Sequence, residues 1–153
     1  MSSEELFEKL KEEILRSRRY KHALSAILLD VDEFHKINEA YSYQTGDRVI
    51  AAVLKIIQKT IRGVDILTRR SIDRFLIILP NTNRREAVEL AERLRENVQK
   101  RTELMKDLPA GVTVTLSAGQ SYTDVNSLDF MRRLESALAE GKKRQRNKTY
   151  IAE

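Results

Sequence analysis

The chain has 153 residues, 41% of them hydrophobic, which is the size of one domain and long enough to bury a single continuous core. It contains no cysteine, which excludes disulfides, thiolate metal ligation and a thiol nucleophile and fits a reducing cytoplasm. Its 28 Lys plus Arg against 23 Asp plus Glu give a mild basic excess that suits an anionic ligand. No apolar run approaches a membrane span and the N-terminus is acidic rather than signal-like, so the expected location is cytoplasmic with no membrane segment.

From about Glu4 to Arg19, Leu6, Leu10 and Ile14 recur at four-residue spacing and predict a packing helix with one apolar stripe. Ala23 to Val31 is apolar and ends in acids, which predicts a buried strand carrying Asp30 and Asp32 at its C-terminal edge. A helix is expected from about Glu33. Gly46 is expected to break it, and Asp47 to cap the next, whose face is Ile50, Val53, Leu54 and Ile57. Asp65 to Arg69 and Phe75 to Leu79 read as two strands around a turn. Pro80-Asn81-Thr82 is expected to stop the second of these and cap a helix carrying Ala87, Ala91, Leu94 and Val98. Val112 to Gly119 alternates as a strand, Leu128 to Arg144 returns to helical spacing, and Thr149 to Ala152 closes an edge. There is no internal repeat and no low-complexity linker.

Several short motifs stand in a fixed order along this frame. Leu28-Leu29-Asp30-Val31-Asp32-Glu33-Phe34-His35-Lys36-Ile37-Asn38-Glu39 is followed by Gly46-Asp47, then by the turn Ser71-Ile72-Asp73-Arg74-Phe75. Downstream come Leu79-Pro80, Ser117-Ala118-Gly119 and Lys142-Lys143-Arg144-Gln145-Arg146-Asn147. Together these resemble the GGDEF family of diguanylate cyclases, over nearly the whole chain. The turn departs from the Gly-Gly-Asp/Glu-Glu-Phe signature, and His35, Ser42 and Tyr43 replace the family's usual Lys, Gly and His. The resemblance implies an α/β sandwich of the palm-like nucleotidyl-cyclase type: a central mixed, largely antiparallel five-stranded sheet covered by helices, forming one domain over 1–153. The Asp-x-Leu-Thr turn that normally precedes the first family helix, and any sensor domain, are expected to be missing from this chain.

The resemblance also implies a reaction that joins two GTP molecules into cyclic di-GMP, with magnesium as the cofactor when GTP is bound and otherwise none. Asp30 and Asp73 match the family's metal ligands; read alone, one ends a strand and the other populates a hairpin turn. Asn38 and Asp47 match the guanine-reading pair, and equally suit a helix-surface amide and a cap. Lys142 and Arg146, about one helical turn apart, match the phosphate contacts, although a solvated basic face is the usual meaning of such a run.

Ser71 and Ile72 stand where two glycines let the backbone approach the nucleotide, and a β-branched Ile72 is poorly suited to positive φ. Arg74 in place of Glu changes the local charge by two units. One unit interaction at about 4 Å is worth roughly 4 kcal/mol at an effective dielectric of about 20, enough for several powers of ten in rate. Arg74 also offers a triphosphate an attractive charge.

A second site lies in the register of the family's Arg-x-x-Asp inhibitory motif: Arg62-Gly63-Val64-Asp65, with Arg93 as its second arginine. Guanidinium forks pair with phosphate oxygens and the guanine Hoogsteen edge, and Asp accepts from guanine nitrogen donors. Four letters are a weak pattern, since Arg70-Ser71-Ile72-Asp73 also satisfies it, and the plain reading is a surface ion pair worth about 0–1 kcal/mol.

The expected function is therefore that of a catalytically degenerate GGDEF domain acting as a receptor for cyclic di-GMP. The alternatives are an atypical diguanylate cyclase with product inhibition, and a GTP-binding or homodimerising regulatory module. RNA binding through the basic tail is the weakest reading, because no aromatic stacking platform accompanies it.

Overall fold

The computed structural model describes residues 2–122 and 126–153. Its elements in chain order are α1 (Ser3–Tyr20), β1 (Leu24–Val31), α2 (Phe34–Ala40), α3 (Tyr43–Thr60), β2 (Ile66–Arg69), β3 (Arg74–Pro80), α4 (Arg84–Glu103), β4 (Val114–Gln120), α5 (Ser127–Arg144) and β5 (Thr149–Ala152). The strands form one five-stranded sheet in the order β2-β3-β1-β4-β5. Every pairing is antiparallel except β4 with β5, as the expected mixed sheet requires.

All eight residues of β1 are buried, because helices cover both faces of the sheet. On one face Ile27, Leu29, Val31, Phe75, Ile77 and Leu79 pack against the apolar sides of α3 and α4. On the other, Ala26, Leu28, Leu76 and Ile78 meet Leu6, Leu10 and Ile14 of α1 and Phe130, Leu134 and Leu138 of α5. A strand with two covered faces reads as a continuous apolar run rather than an alternation, which is why 24–31 carries its polar groups sparingly. Each exception has a partner: buried Ser25 donates to the Thr82 carbonyl at 2.7 Å, and buried Ser117 to the Leu134 carbonyl at 2.8 Å. Among the described residues no helix is long and apolar enough to cross a membrane.

Two helix starts differ from the sequence expectation. Gly46 does not break the chain between α2 and α3; it lies inside α3, and the N-cap is Ser42, whose side chain accepts from the Thr45 amide. Asp47 is thus past the first turn and caps nothing. The interruption falls at Tyr41-Ser42, where a serine with extended backbone supplies the acceptor that the helix N-terminus needs. Gly46 is needed for packing instead: a Cβ there would overlap the Asn38 side-chain amide. Helix α4 is capped by Asn83 rather than Thr82, in a capping box with Glu86. Thr82 is buried and used elsewhere.

Asn83→Ala should lower the stability of the domain by about 1 kcal/mol. Chemical denaturation, with the slope of the transition unchanged, measures it.

Candidate functional site

The end of β1 is the centre of the first site. Asp30 pairs across the sheet with Arg74 on one side and Thr115 on the other. Directly opposed residues share a face, so the register alone puts the side chain at 74 beside Asp30. Arg74 Nη2 donates to Asp30 Oδ2 at 3.0 Å. Lys142, near the end of α5, donates to the same oxygen. The carboxylate is only 3% exposed, whereas Arg74 and Lys142 are 32% and 25% exposed. Burial, and after it the neighbouring Arg146 guanidinium, pull Lys142 below the ordinary lysine range. The other oxygen, Asp30 Oδ1, is buried with no hydrogen-bond partner.

Asp32, two residues on, is differently placed. It accepts from Thr113 Oγ1 at 2.7 Å, Thr115 Oγ1 at 2.6 Å and the Asn147 amide at 3.0 Å. This saturated carboxylate ties the β1 end to β4 and to the turn before β5, where Asn147 has φ of 56°. Arg146 reaches toward it at 3.8 Å and toward Glu33 at 3.9 Å. Glu33 itself is held below the usual carboxylate range, first by the hydrogen bond from Lys36. The expected phosphate pair, Lys142 and Arg146, is thus brought to the end of β1, with both side chains turned toward carboxylates.

Asp73 lies next to Asp30, since the Val31 amide donates to its carbonyl at 3.0 Å. Its carboxylate accepts from Ser71 Oγ at 3.2 Å. The turn is not strained as the sequence suggested: neither Ser71 nor Ile72 has positive φ. The Arg69 guanidinium instead grips the turn from outside, donating to the Ser71 carbonyl at 3.1 Å and the Ile72 carbonyl at 2.7 Å. The Ile72 side chain stands at the surface, 55% exposed. Arg70 braces the turn's other flank, over the Phe7 ring and 3.8 Å from Glu135. Arg69 and Arg70 were not legible as turn clamps, because nothing in their spacing distinguishes them from strand-edge cations.

Asn38 packs on Gly46, the residue before Asp47. Asn38 Oδ1 is buried without a hydrogen-bond partner, while Asp47 is exposed. A buried carbonyl oxygen left unbonded is uncommon, and this one packs on Gly46 in the contact between α2 and α3.

Magnesium takes near-octahedral oxygen coordination from one or two carboxylates, waters and phosphates. Asp30 Oδ1 is one such oxygen, and the Asp73 backbone lies next to it in the sheet. Against it, Asp30 Oδ2 already carries two protein cations. Among the described residues no group of three or more acids or histidines is placed to hold a metal. The residues around Asp30 do not fit a divalent cation.

The second site lies just before β2, an edge strand of the sheet. Arg62, Asp65 and Arg93 line one cavity of about 140 Å³, together with Thr82, Glu86 and Leu90. Asp65 is almost fully buried and binds Arg62 three ways: from the Arg62 amide at 2.8 Å, from Nη2 at 3.0 Å and from Nε at 3.4 Å. Arg62 Nη2 also donates to the Pro80 carbonyl at 2.8 Å and to Thr82 Oγ1 at 2.7 Å. Arg93 is exposed and makes no hydrogen bond or ion pair among the described residues. Thr82 was missed as a member of this site, since its sequence position suggested only a cap.

With this geometry in view, comparison with known proteins is informative. Residues 3–148 match the family model described as "Diguanylate cyclase, GGDEF domain". The chain belongs to the GGDEF family, whose setting is cyclic di-GMP signalling. It is 35% identical over 128 residues to the probable diguanylate cyclase DgcT of Escherichia coli, covering 82% of this chain and 28% of that protein. It is 30% identical over 133 residues to diguanylate cyclase A of Treponema denticola, covering 86% of this chain and 36% of that protein. The chain therefore spans roughly a third of the length of these relatives. Among solved structures, the active GGEEF domain of a Vibrio cholerae diguanylate cyclase superposes with a TM-score of 0.90 at 25% identity, over 98% of this chain and 96% of that one. The GGDEF domain of DgcB from Caulobacter crescentus, solved with c-di-GMP, superposes at 0.89 with 22% identity, over 97% of this chain and 86% of that one.

A double-mutant cycle of Asp30→Ala and Arg74→Ala should give a coupling energy on the order of 1–3 kcal/mol in unfolding, the range for residues in direct contact. Additive effects would show that the two side chains do not meet in solution.

Proposed function

We propose that this chain is a GGDEF domain that binds cyclic di-GMP and does not make it. The observation that carries the reading is the convergence of Arg62, Asp65 and Arg93 on one cavity. Two guanidinium groups facing a buried carboxylate suit a ligand with two phosphates and two guanine edges. Arg93 is free to engage phosphate as it stands. Arg62 would exchange one of its bonds to Pro80 or Thr82 for a ligand oxygen, while Asp65 keeps its orientation. The loss of catalysis is inferred from the first site, where Arg74 and Lys142 take up the Asp30 oxygen that a metal would need. The domain's partners in this reading are cyclic di-GMP and a second copy of the chain.

A second reading keeps the enzyme. It is favoured by the adjacency of Asp30 and Asp73 and by the unbonded Asp30 Oδ1, and the relatives named above are cyclases. In it, slow turnover of GTP would be inhibited by product at the Arg62 site.

Calorimetric titration with cyclic di-GMP should give saturable binding, and Arg62→Ala should weaken it at least about 30-fold, the loss of a charge-assisted contact of about 2 kcal/mol. Unchanged affinity in a folded variant rejects the site. Pyrophosphate release from GTP in the same preparation establishes the second reading in place of the first.

A further inference from the structure

Helix α1 buries Leu6, Leu10 and Ile14 in the core it shares with the sheet and α5, which leaves the opposite side of the helix to solvent. Along that side Glu8, Glu12, Leu15 and Arg19 recur at spacings of four, three and four residues and form one exposed stripe. The exposed side is divided by charge. Glu4, Glu5, Glu8 and Glu12 stand in its first half and Arg16, Arg18 and Arg19 in its second, with Leu15 between them and 55% exposed. The helix dipole favours acids in the first turn and cations in the last, but that effect does not extend to Glu8, Glu12 or Arg16. Glu4, Glu5, Glu8 and Arg18 make no ion pair among the described residues, and Arg19 lies over the Tyr20 ring. Glu12 and Arg16 reach neighbours on their own helix, Lys9 at 3.7 Å and Glu13 at 3.2 Å. Glu12, Leu15, Arg16, Arg19 and Tyr20 surround a depression of about 400 Å³ on this side.

This order of charges is complementary to its own reverse. Two copies of the face, laid antiparallel about a two-fold axis between Glu12 and Leu15, set Glu8 of each against Arg19 of the other and Glu12 of each against Arg16 of the other, with the Leu15 side chains near the axis. A parallel pairing would set acid on acid, and a uniformly acidic or basic partner would match one half of the face and repel the other.

We infer that the outer face of α1 is where a second copy of this chain docks, helix against helix and antiparallel. The inference rests on the second-copy partner proposed above and names its surface. Helix α1 covers one face of the sheet, whereas Leu90 of the Arg62 cavity belongs to the core on the other, so the cavities of both copies stay open in the pair. Exposed ion pairs are weak and screened by salt, so the association is weak and set by ionic strength.

The experiment is sedimentation equilibrium of the chain without nucleotide over a range of concentrations. The expected result is a monomer–dimer equilibrium that weakens at least about tenfold between about 0.05 and about 0.5 M salt. Glu8→Arg with Glu12→Arg, and separately Arg16→Glu with Arg19→Glu, should each weaken self-association at least about tenfold, and mixing the two variants should restore a dimer containing one copy of each. Circular dichroism confirms that each variant is folded; if one is not, the other decides. A monomer at every concentration, a dimer indifferent to salt, or a mixture that stays monomeric overturns the inference. A dimer undiminished in either variant also overturns it, while leaving the second copy in place on another surface. Cyclic di-GMP titrated into the same variants reports separately on the Arg62 site, where its affinity should be unchanged.

Discussion

Strand β1 is buried from Leu24 to Val31, with helices on both sides, and its register against β3 and β4 is what the functional surfaces depend on. A slip of one residue would exchange the faces of every side chain and drive Asp30 into the packing between the sheet, α3 and α4. Ile27, Leu29 and Val31 on one side, and Ala26 and Leu28 on the other, exclude that slip. Asp30 is therefore fixed opposite position 74, whatever residue stands there. An acid at 74 would set two carboxylates side by side, whereas the arginine there forms an ion pair with Asp30. A substitution at 74 therefore changes the charge beside Asp30 without changing the fold, and the chain superposes on an active GGEEF domain with a TM-score of 0.90.

The two candidate sites share a strand. Arg74 begins β3 and Pro80 ends it, and Arg62 holds the Pro80 carbonyl. At one end an arginine neutralises a buried acid that would otherwise be costly. At the other, an almost fully buried Asp65 orients an arginine whose partner across the cavity, Arg93, is left exposed. The contrast between an acid whose one oxygen is held by two cations and a cavity with an unengaged cation is what separates binding from turnover in the proposed reading.

Much of this was legible in the residues. The element order, the strand end carrying Asp30 and Asp32, and the helical stripes of α1, α3 and α4 follow from periodicity, because long apolar faces leave little choice of packing. The ordered motifs located Arg62, Asp65 and Arg93 before any coordinates. Capping was read less well: Ser42 and Asn83 are the acceptors, and Gly46 and Thr82 were assigned roles that belong to packing and to the Arg62 cavity. The consequence of Arg74 was seen as lost charge, whereas its pairing with Asp30 depends on cross-strand register, which local sequence does not contain. The saturation of Asp32 by Thr113, Thr115 and the Asn147 amide was hidden for the same reason, since these groups lie more than 80 residues from Asp32 in the chain.

The grip of Arg69 on the carbonyls of Ser71 and Ile72 relocates the instructions for a loop to a residue outside it. Where glycines shape a turn, its own letters are constrained; where a preceding guanidinium holds the peptide oxygens, those letters are released to vary. A five-letter signature is then an unreliable reporter of the backbone beneath it. In this chain the loop's peptide oxygens are held by a side chain that stands before the loop, and no glycine is needed within it.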